Sequence, residues 1–364
     1  MRTTTFFAGA IALATALHPI TAAQAHDVYA DDHAPIGVMA DHAHKKGEIM
    51  FSLRAMHMEM EGNQIGTDSV TPDTIVTTIP NRFFGVLGQP PTLRIVPTEM
   101  RTDMYMLGAM YAPSDSVTLM VMGNYIEKEI DHITYQGVIG TTQLGAFTTN
   151  PKGLGDVKVA ALFPLLGHPD PTDDVRDELT LKAGISIPTG STTKTDDILT
   201  PMGGNPTVRV PYMMQLGTGT WDLEPALTYK ARRGEMGFGV QGSASIRTGT
   251  NDEGYSFGDV YEGTAWVSYR PAQWVSLSGR VKARTMGQVD GIDPFIVGPV
   301  QTANPDFQGG DRVDLLAGVN FVGTHGALAG HRLGIELGKP VYQDLNGPQM
   351  AGDWMLTVGW QKAF

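Results

Sequence analysis

Hydrophobic and polar residues alternate along much of this chain, most plainly in its last segment. In "DWMLTVGWQKAF", Trp354, Leu356, Val358 and Trp360 share one face, while Met355, Thr357, Gly359 and Gln361 share the other, ahead of Phe364. Period two predicts a strand with one apolar and one more polar face. Aromatic residues near the ends suit the headgroup level of a membrane-crossing strand. Segments of this kind recur at about 48–60, 101–112, 116–128, 156–165, 177–188, 219–230, 235–248, 259–270, 273–285, 311–323, 330–339 and 352–364, about twelve in all. The connections alternate in length: 113–115, 166–176, 231–234, 271–272 and 324–329 are short, and 61–100, 129–155, 189–218, 249–258, 286–310 and 340–351 are longer. Tight turns at one end and long loops at the other predict an all-β fold, a closed antiparallel up-and-down barrel crossing the outer membrane. Both termini then fall on the short-turn, periplasmic side, and a terminal Phe resembles the ending of bacterial outer-membrane barrels.

Splitting each strand into its two faces predicts what the barrel turns to lipid and what it turns inward. Over 48–60 the apolar face is Ile49, Phe51, Leu53 and Ala55, and Met50, Met56, Met58 and Met60 lie on the other. His57 and Glu59 continue the apolar face, so they belong beyond the hydrocarbon at the external rim. The next two strands place Met104, Met106, Met110, Met120 and Met122 inward. Three adjacent strands thus predict a methionine wall in the lumen. The remaining strands predict a charged inner face with opposite signs interleaved, apart from a basic ladder, Arg280, Lys282 and Arg284. Thioethers form a polarizable, adaptable surface. Such a wall fits a path for small hydrophobic or aromatic solutes, soft Cu(I) coordination, or packing against an inward-folded segment.

Composition narrows the setting. The 364 residues include 26 basic and 38 acidic side chains, a net charge of −12, 19 methionines and no cysteine. An acidic chain lacks the basic excess that nucleic acid requires, so no nucleic-acid partner is expected. The start "MRTTTFFAGAIALATALHPITAAQAHD" has a positive Arg2, a short apolar run and the small-x-small site Ala23-Gln24-Ala25, which predicts a signal peptide over 1–25. Residues 26–47 then form a His/Asp-rich periplasmic segment ahead of a barrel over 48–364. In that segment His26, His33, His42 and His44 lie among Asp27, Asp31, Asp32 and Asp41. Imidazoles and carboxylates at this density can bind Zn(II) or Cu(II); a solvated tail or a lumenal plug would use the same residues differently.

No nucleophile elbow, H-E-x-x-H or nucleotide-binding loop occurs, and His57 and His132 at the outer end have no identifiable nucleophile, so no enzyme is expected. Three phrases remain: "GLGDVKVAALF" at 153–163, "LKAGISIPTG" at 181–190 and "LGTGTWDLEPALTY" at 216–229. In that order they resemble the outer-membrane family named after the meta-pathway of phenol degradation. The resemblance implies a barrel that passes small, aromatic molecules, and no binding residue is carried over. The expected function is therefore an outer-membrane channel or diffusive transporter for small hydrophobic or aromatic molecules, its partners outer-membrane lipid and a small-molecule solute. Copper or zinc handling through the His/Asp segment and the methionine wall is the alternative, and a structural or adhesive barrel the third.

Overall fold

A computed structural model describes residues 29–167 and 173–364; the predicted signal peptide, His26 and Asp27 lie outside the described residues. The wall comprises β1 (Ile49–Gly66), β2 (Ile95–Ser114), β3 (Val117–Tyr135), β4 (Val157–Leu166), β5 (Val175–Ile187), β6 (Ala226–Arg233), β7 (Met236–Arg247), β8 (Val260–Ala272), β9 (Val275–Met286), β10 (Gly310–Val322) and β11 (His331–Ala363). Each pairs antiparallel with its chain neighbours. The 33-residue β11 folds back on itself, pairing with β10 through residues 332–345 and with β1 through residues 345–363. Eleven strand elements therefore close a barrel, and the two arms of β11 account for the expected twelfth crossing. Closure ends in reciprocal backbone bonds between Ile49 and Phe364, at 3.3 and 2.8 Å. No described helix is long and apolar enough to cross a membrane. Strands cross hydrocarbon only when, as here, the ladder has no open edge.

Side-chain exposure follows the pleat. On β2, Tyr111, Leu107 and Tyr105 point out, Leu107 with 60% of its surface exposed, whereas Met110 and Met100 on the opposite face are buried. The apolar band ends above Tyr105. There, His57 bonds Asp103 at 2.8 Å and Glu59 at 3.3 Å, and the Trp354 indole donates to Glu59 at 2.8 Å. The predicted outward break at His57 and Glu59 is thus a polar collar at the long-loop end of the barrel.

Strand lengths depart from expectation at the long-loop end. β1, β2 and β3 run several residues beyond the expected limits. Much of the expected loop 129–155 is ladder, because Gln143–Thr149 and Lys152–Leu154 return along β3. The expected loop 340–351 is likewise part of β11. The polar residues that marked these stretches as loops lie beyond the hydrocarbon, where a strand needs no apolar face. In the other direction, β6 begins at Ala226 rather than 219; only Asp222 and Leu223 pair ahead of it, with β5 and β7.

The remaining segments at the long-loop end fold into a cap with its own apolar core, including Phe83, Ile95, Tyr212, Tyr255, Phe257 and Val300. A short helix, α1 (Pro72–Thr78), starts where the Thr71 side chain accepts from the Thr74 N–H and Pro72 presets the first turn, and it buries Ile75 and Val76. Arg94, fully buried, donates to the carbonyls of Gln136, Gly137 and Gly140 and so holds the turn after β3.

The face assignment predicts that Leu107→Arg will destabilise the barrel in bilayers by about 2–4 kcal/mol, the cost of a cation on the lipid face near mid-membrane. Met106→Gln, one residue away but on the inner face, should cost far less. Denaturant titration of the two proteins folded into liposomes checks this, and equal losses would refute it.

Candidate functional site: the filled bore

Residues 29–47 lie inside the short-turn end of the barrel as a plug. The inner wall there carries Arg176, Lys230, Arg232, Arg270 and Arg332, all buried, and the plug supplies the opposite charge. Asp31 accepts from Arg232 Nε at 3.0 Å and pairs with Arg270 at 3.0 Å. Asp32 pairs with Arg232 at 2.7 Å and with Arg176. The Tyr29 ring packs against the guanidinium groups of Arg270 and Arg232, at 3.8 and 5.0 Å from the ring centre. Buried cations left unpaired would cost several kcal/mol each, so the plug completes the wall electrostatically.

Backbone contacts then track the segment across the bore. Ser276 donates to the Ala30 carbonyl at 3.0 Å, Gln241 to Met39 at 2.9 Å, and the His44 N–H donates to Thr118 at 2.8 Å. Arg332 bonds the Ala34 carbonyl, Gln361 and Asn320. Gly37 passes so close to the Arg280–Glu336 pair that a Cβ would collide with both partners. Ala40 has a φ of 54°, a left-handed conformation costing roughly 1–2 kcal/mol outside glycine. Its methyl group is buried with Met50 and Met110.

The methionines form rows across three strands. Met50, Met110 and Met120 lie in register, as do Met56, Met104 and Ile126, and Met60, Met100 and Ile130. Between these rows, Met106 pairs with Arg54, Met58 with Thr102, and Met122 with Gly108. Met50, with 4% of its surface exposed, packs in a cluster with Met110, Ala40 and Leu162 at the plug. Met106, Met120 and Met122 line a cavity shared with Met39 and His42 of the plug. At the cap end Met60 and Met100 meet Met214 and Met350. Thioethers therefore run the height of the bore, from plug to cap.

The basic ladder is largely paired. Arg280 makes a two-pronged bond to Glu336 at 2.8 and 2.6 Å, and Lys282 lies 3.1 Å from Asp314. Arg284 donates to the Met286 sulfur at 3.4 Å. Two of the three members of the expected basic ladder thus face a carboxylate across the wall.

Of the expected metal ligands, His33, His42 and His44 come together in the plug, and His26 lies outside the described residues. Their rings follow edge to face, His33 to His42 at 4.4 Å and His42 to His44 at 4.8 Å between centres. Burial pushes the His42 imidazolium down to about 4, with the His33 and His44 charges adding and the Asp41 carboxylate opposing, so the ring is neutral at neutral pH.

Residue-by-residue reading missed one centre. Buried Asp156 accepts from the N–H of Gly190 at 2.9 Å and from the N–H and hydroxyl of Thr218 at 2.8 and 2.9 Å. Gly190 and Gly217 touch backbone to backbone there. The three phrases that carry the family resemblance are brought to a single point, which fixes the loop over 188–221 against the barrel. Their spacing in pairs of Gly with Asp or Thr was the signal; which pairs meet is a tertiary fact.

Comparison with protein-family models gives no match, and comparison with curated proteins gives none. Among solved structures, the crystal structure of an outer membrane channel from Pseudomonas putida F1 is similar, with a TM-score of 0.56, 14% identity, and coverage of 90% of this chain and 99% of that one. A Pseudomonas aeruginosa FadL homologue has a TM-score of 0.41 at 7% identity, covering 87% and 90%. The P. putida toluene transporter TodX has a TM-score of 0.38 at 8% identity, covering 88% and 91%. The fold is that of an outer-membrane β-barrel.

Asp156→Ala leaves backbone donors at Gly190 and Thr218 without their acceptor, each worth about 1–3 kcal/mol when buried. Limited proteolysis should then cut within 188–221 much faster than in the parent protein, while the barrel stays folded; an unchanged cleavage rate would contradict the role assigned to Asp156.

Proposed function

We propose that this chain is an outer-membrane channel for small apolar and aromatic solutes, with both termini on the periplasmic side and residues 1–25 removed on export. The observation that carries this reading is a methionine in every inward row of the register from Met60 and Met100, which meet Met214 and Met350 at the cap, to Met50, Met110 and Met120 at the plug. A polar pore needs no such track. Flexible, polarizable side chains let an apolar ring slide past without one fixed shape, each sulfur–ring contact contributing about 0.3–1.5 kcal/mol. On the opposite wall Arg280 is paired with Glu336, and Lys282 and Arg312 share Asp314, so these cations are held in place by wall carboxylates.

Two further points support the reading. The likeness in fold to the P. putida F1 channel agrees with a conducting barrel. The three phrases around Asp156 resemble the phenol meta-pathway family, from which the aromatic class of solute is inferred. For the orientation, the plug bonds near the 273–276 turn and at Asp115, both at the short-turn end, which faces the periplasm in bacterial outer-membrane barrels.

Met106→Ser combined with Met120→Ser should slow permeation of a phenolic probe into proteoliposomes several-fold, while single-channel ion conductance stays close to the parent value. An unchanged ratio of phenolic to ionic flux would sink the solute assignment, and a barrel that passes neither would sink the channel.

A further inference from the structure

The plug contains a second chemistry that passage of apolar solutes does not use. His33, Asp41 and His42 each place one ligand-type atom within 4.8 Å of the others. The adjoining His44 ring lies 4.8 Å from that of His42. Two carboxylates hold these rings by one edge. Asp41 bonds His42 Nδ1 at 2.9 Å, and Glu48 bonds His44 Nδ1 at 3.2 Å. The Nε2 atoms of His42 and His44 are both buried without a hydrogen-bond partner among the described residues. A carboxylate on Nδ1 and a lone pair left on Nε2 is how metal-ligating histidines are commonly oriented, because the carboxylate fixes the tautomer and raises the basicity of the other nitrogen.

We propose that His33, Asp41, His42 and His44 form a binding site for a divalent ion of the copper–zinc class, built into the plug. Imidazole and carboxylate donors suit Zn(II) and Cu(II) rather than Mg(II) or Ca(II), which prefer all-oxygen shells. The site draws its ligands from both sides of the Ala40 bend, so a bound ion joins residue 33 to residues 41–44 and fixes the fold of the plug within the bore. Asp41 also lies 3.7 Å from Lys230 of the wall, and that contact ties the site to the barrel. The shared cavity places Met39, Met50 and Met120 beside His42, so reduced copper would find soft donors next to the site.

The test uses the full-length barrel, folded in detergent, stripped with a chelator and equilibrated separately with Zn(II) and Cu(II). After desalting, metal per chain is measured by mass spectrometry, and the Cu(II) form is examined by electron paramagnetic resonance. We expect retention of one or both ions, with nitrogen hyperfine structure in the Cu(II) spectrum. His42→Gln and His44→Gln should abolish retention. Glu48→Gln, which removes the negative charge behind His44 Nδ1 and keeps an amide oxygen for the Lys45 N–H, should weaken affinity about 10–100-fold. An exposed His-rich tail would not respond to the Glu48 change. Retention of both ions unaltered in His42→Gln, or unaltered affinity in Glu48→Gln, overturns the proposal, as does a parent protein that retains neither ion. Resistance of each variant to unfolding in unheated SDS separates loss of the site from loss of the barrel, and none of these readouts depends on what the channel passes.

Discussion

A peptide N–H turned toward acyl chains finds no water to bond, and the rest of the structure follows from that lack. The ladder has to close, and it does so where Ile49 meets Phe364. Closure places one face of every strand in hydrocarbon and the other in a narrow bore. Polar residues excluded from the lipid face collect inside, where their charges require partners because little water reaches them. The wall answers some of this need itself, as with Arg280 and Glu336. At the short-turn end it has a cationic excess, and the chain's own N-terminal segment supplies the anions.

The plug is therefore better described as the missing part of the inner wall than as an appendage. Asp31 and Asp32 neutralise Arg176, Arg232 and Arg270, and plug carbonyls accept from Arg332, Gln241 and Arg54. The same burial that makes those pairs necessary keeps the His42 ring above them neutral. Electrostatic anchoring and the proposed metal site are thus two results of one low-dielectric setting.

The alternation of Trp354, Leu356, Val358 and Trp360 made the fold legible, since a two-residue period leaves few alternatives for an apolar face. The burial of Met50 and Met110 follows the same period, since each sits one position from an exposed apolar residue, Phe51 and Tyr111. Strand ends were not legible above the membrane, because β1 to β3 carry on with no apolar face to mark them. The burial of Asp31 and Asp32 was equally hidden. Their partners, Arg176, Arg232 and Arg270, lie more than a hundred residues away in the chain, and no local pattern identifies one Arg as the partner of a distant Asp. Asp156 shows the intermediate case, in which the phrases were visible and their meeting point was not.

The unequal height of the wall has a mechanical meaning. A strand of 20 residues such as β2, tilted as barrel strands are, reaches about 50 Å along the axis, roughly double the apolar band of about 25 Å. Half of this side stands clear of the bilayer as a stiff fin, and the cap leans on it through Arg94, Ile95 and Val96. The cap over this end of the barrel thus draws its order from protein rather than from surrounding lipid, and it keeps its shape as the bilayer thins, thickens or changes composition.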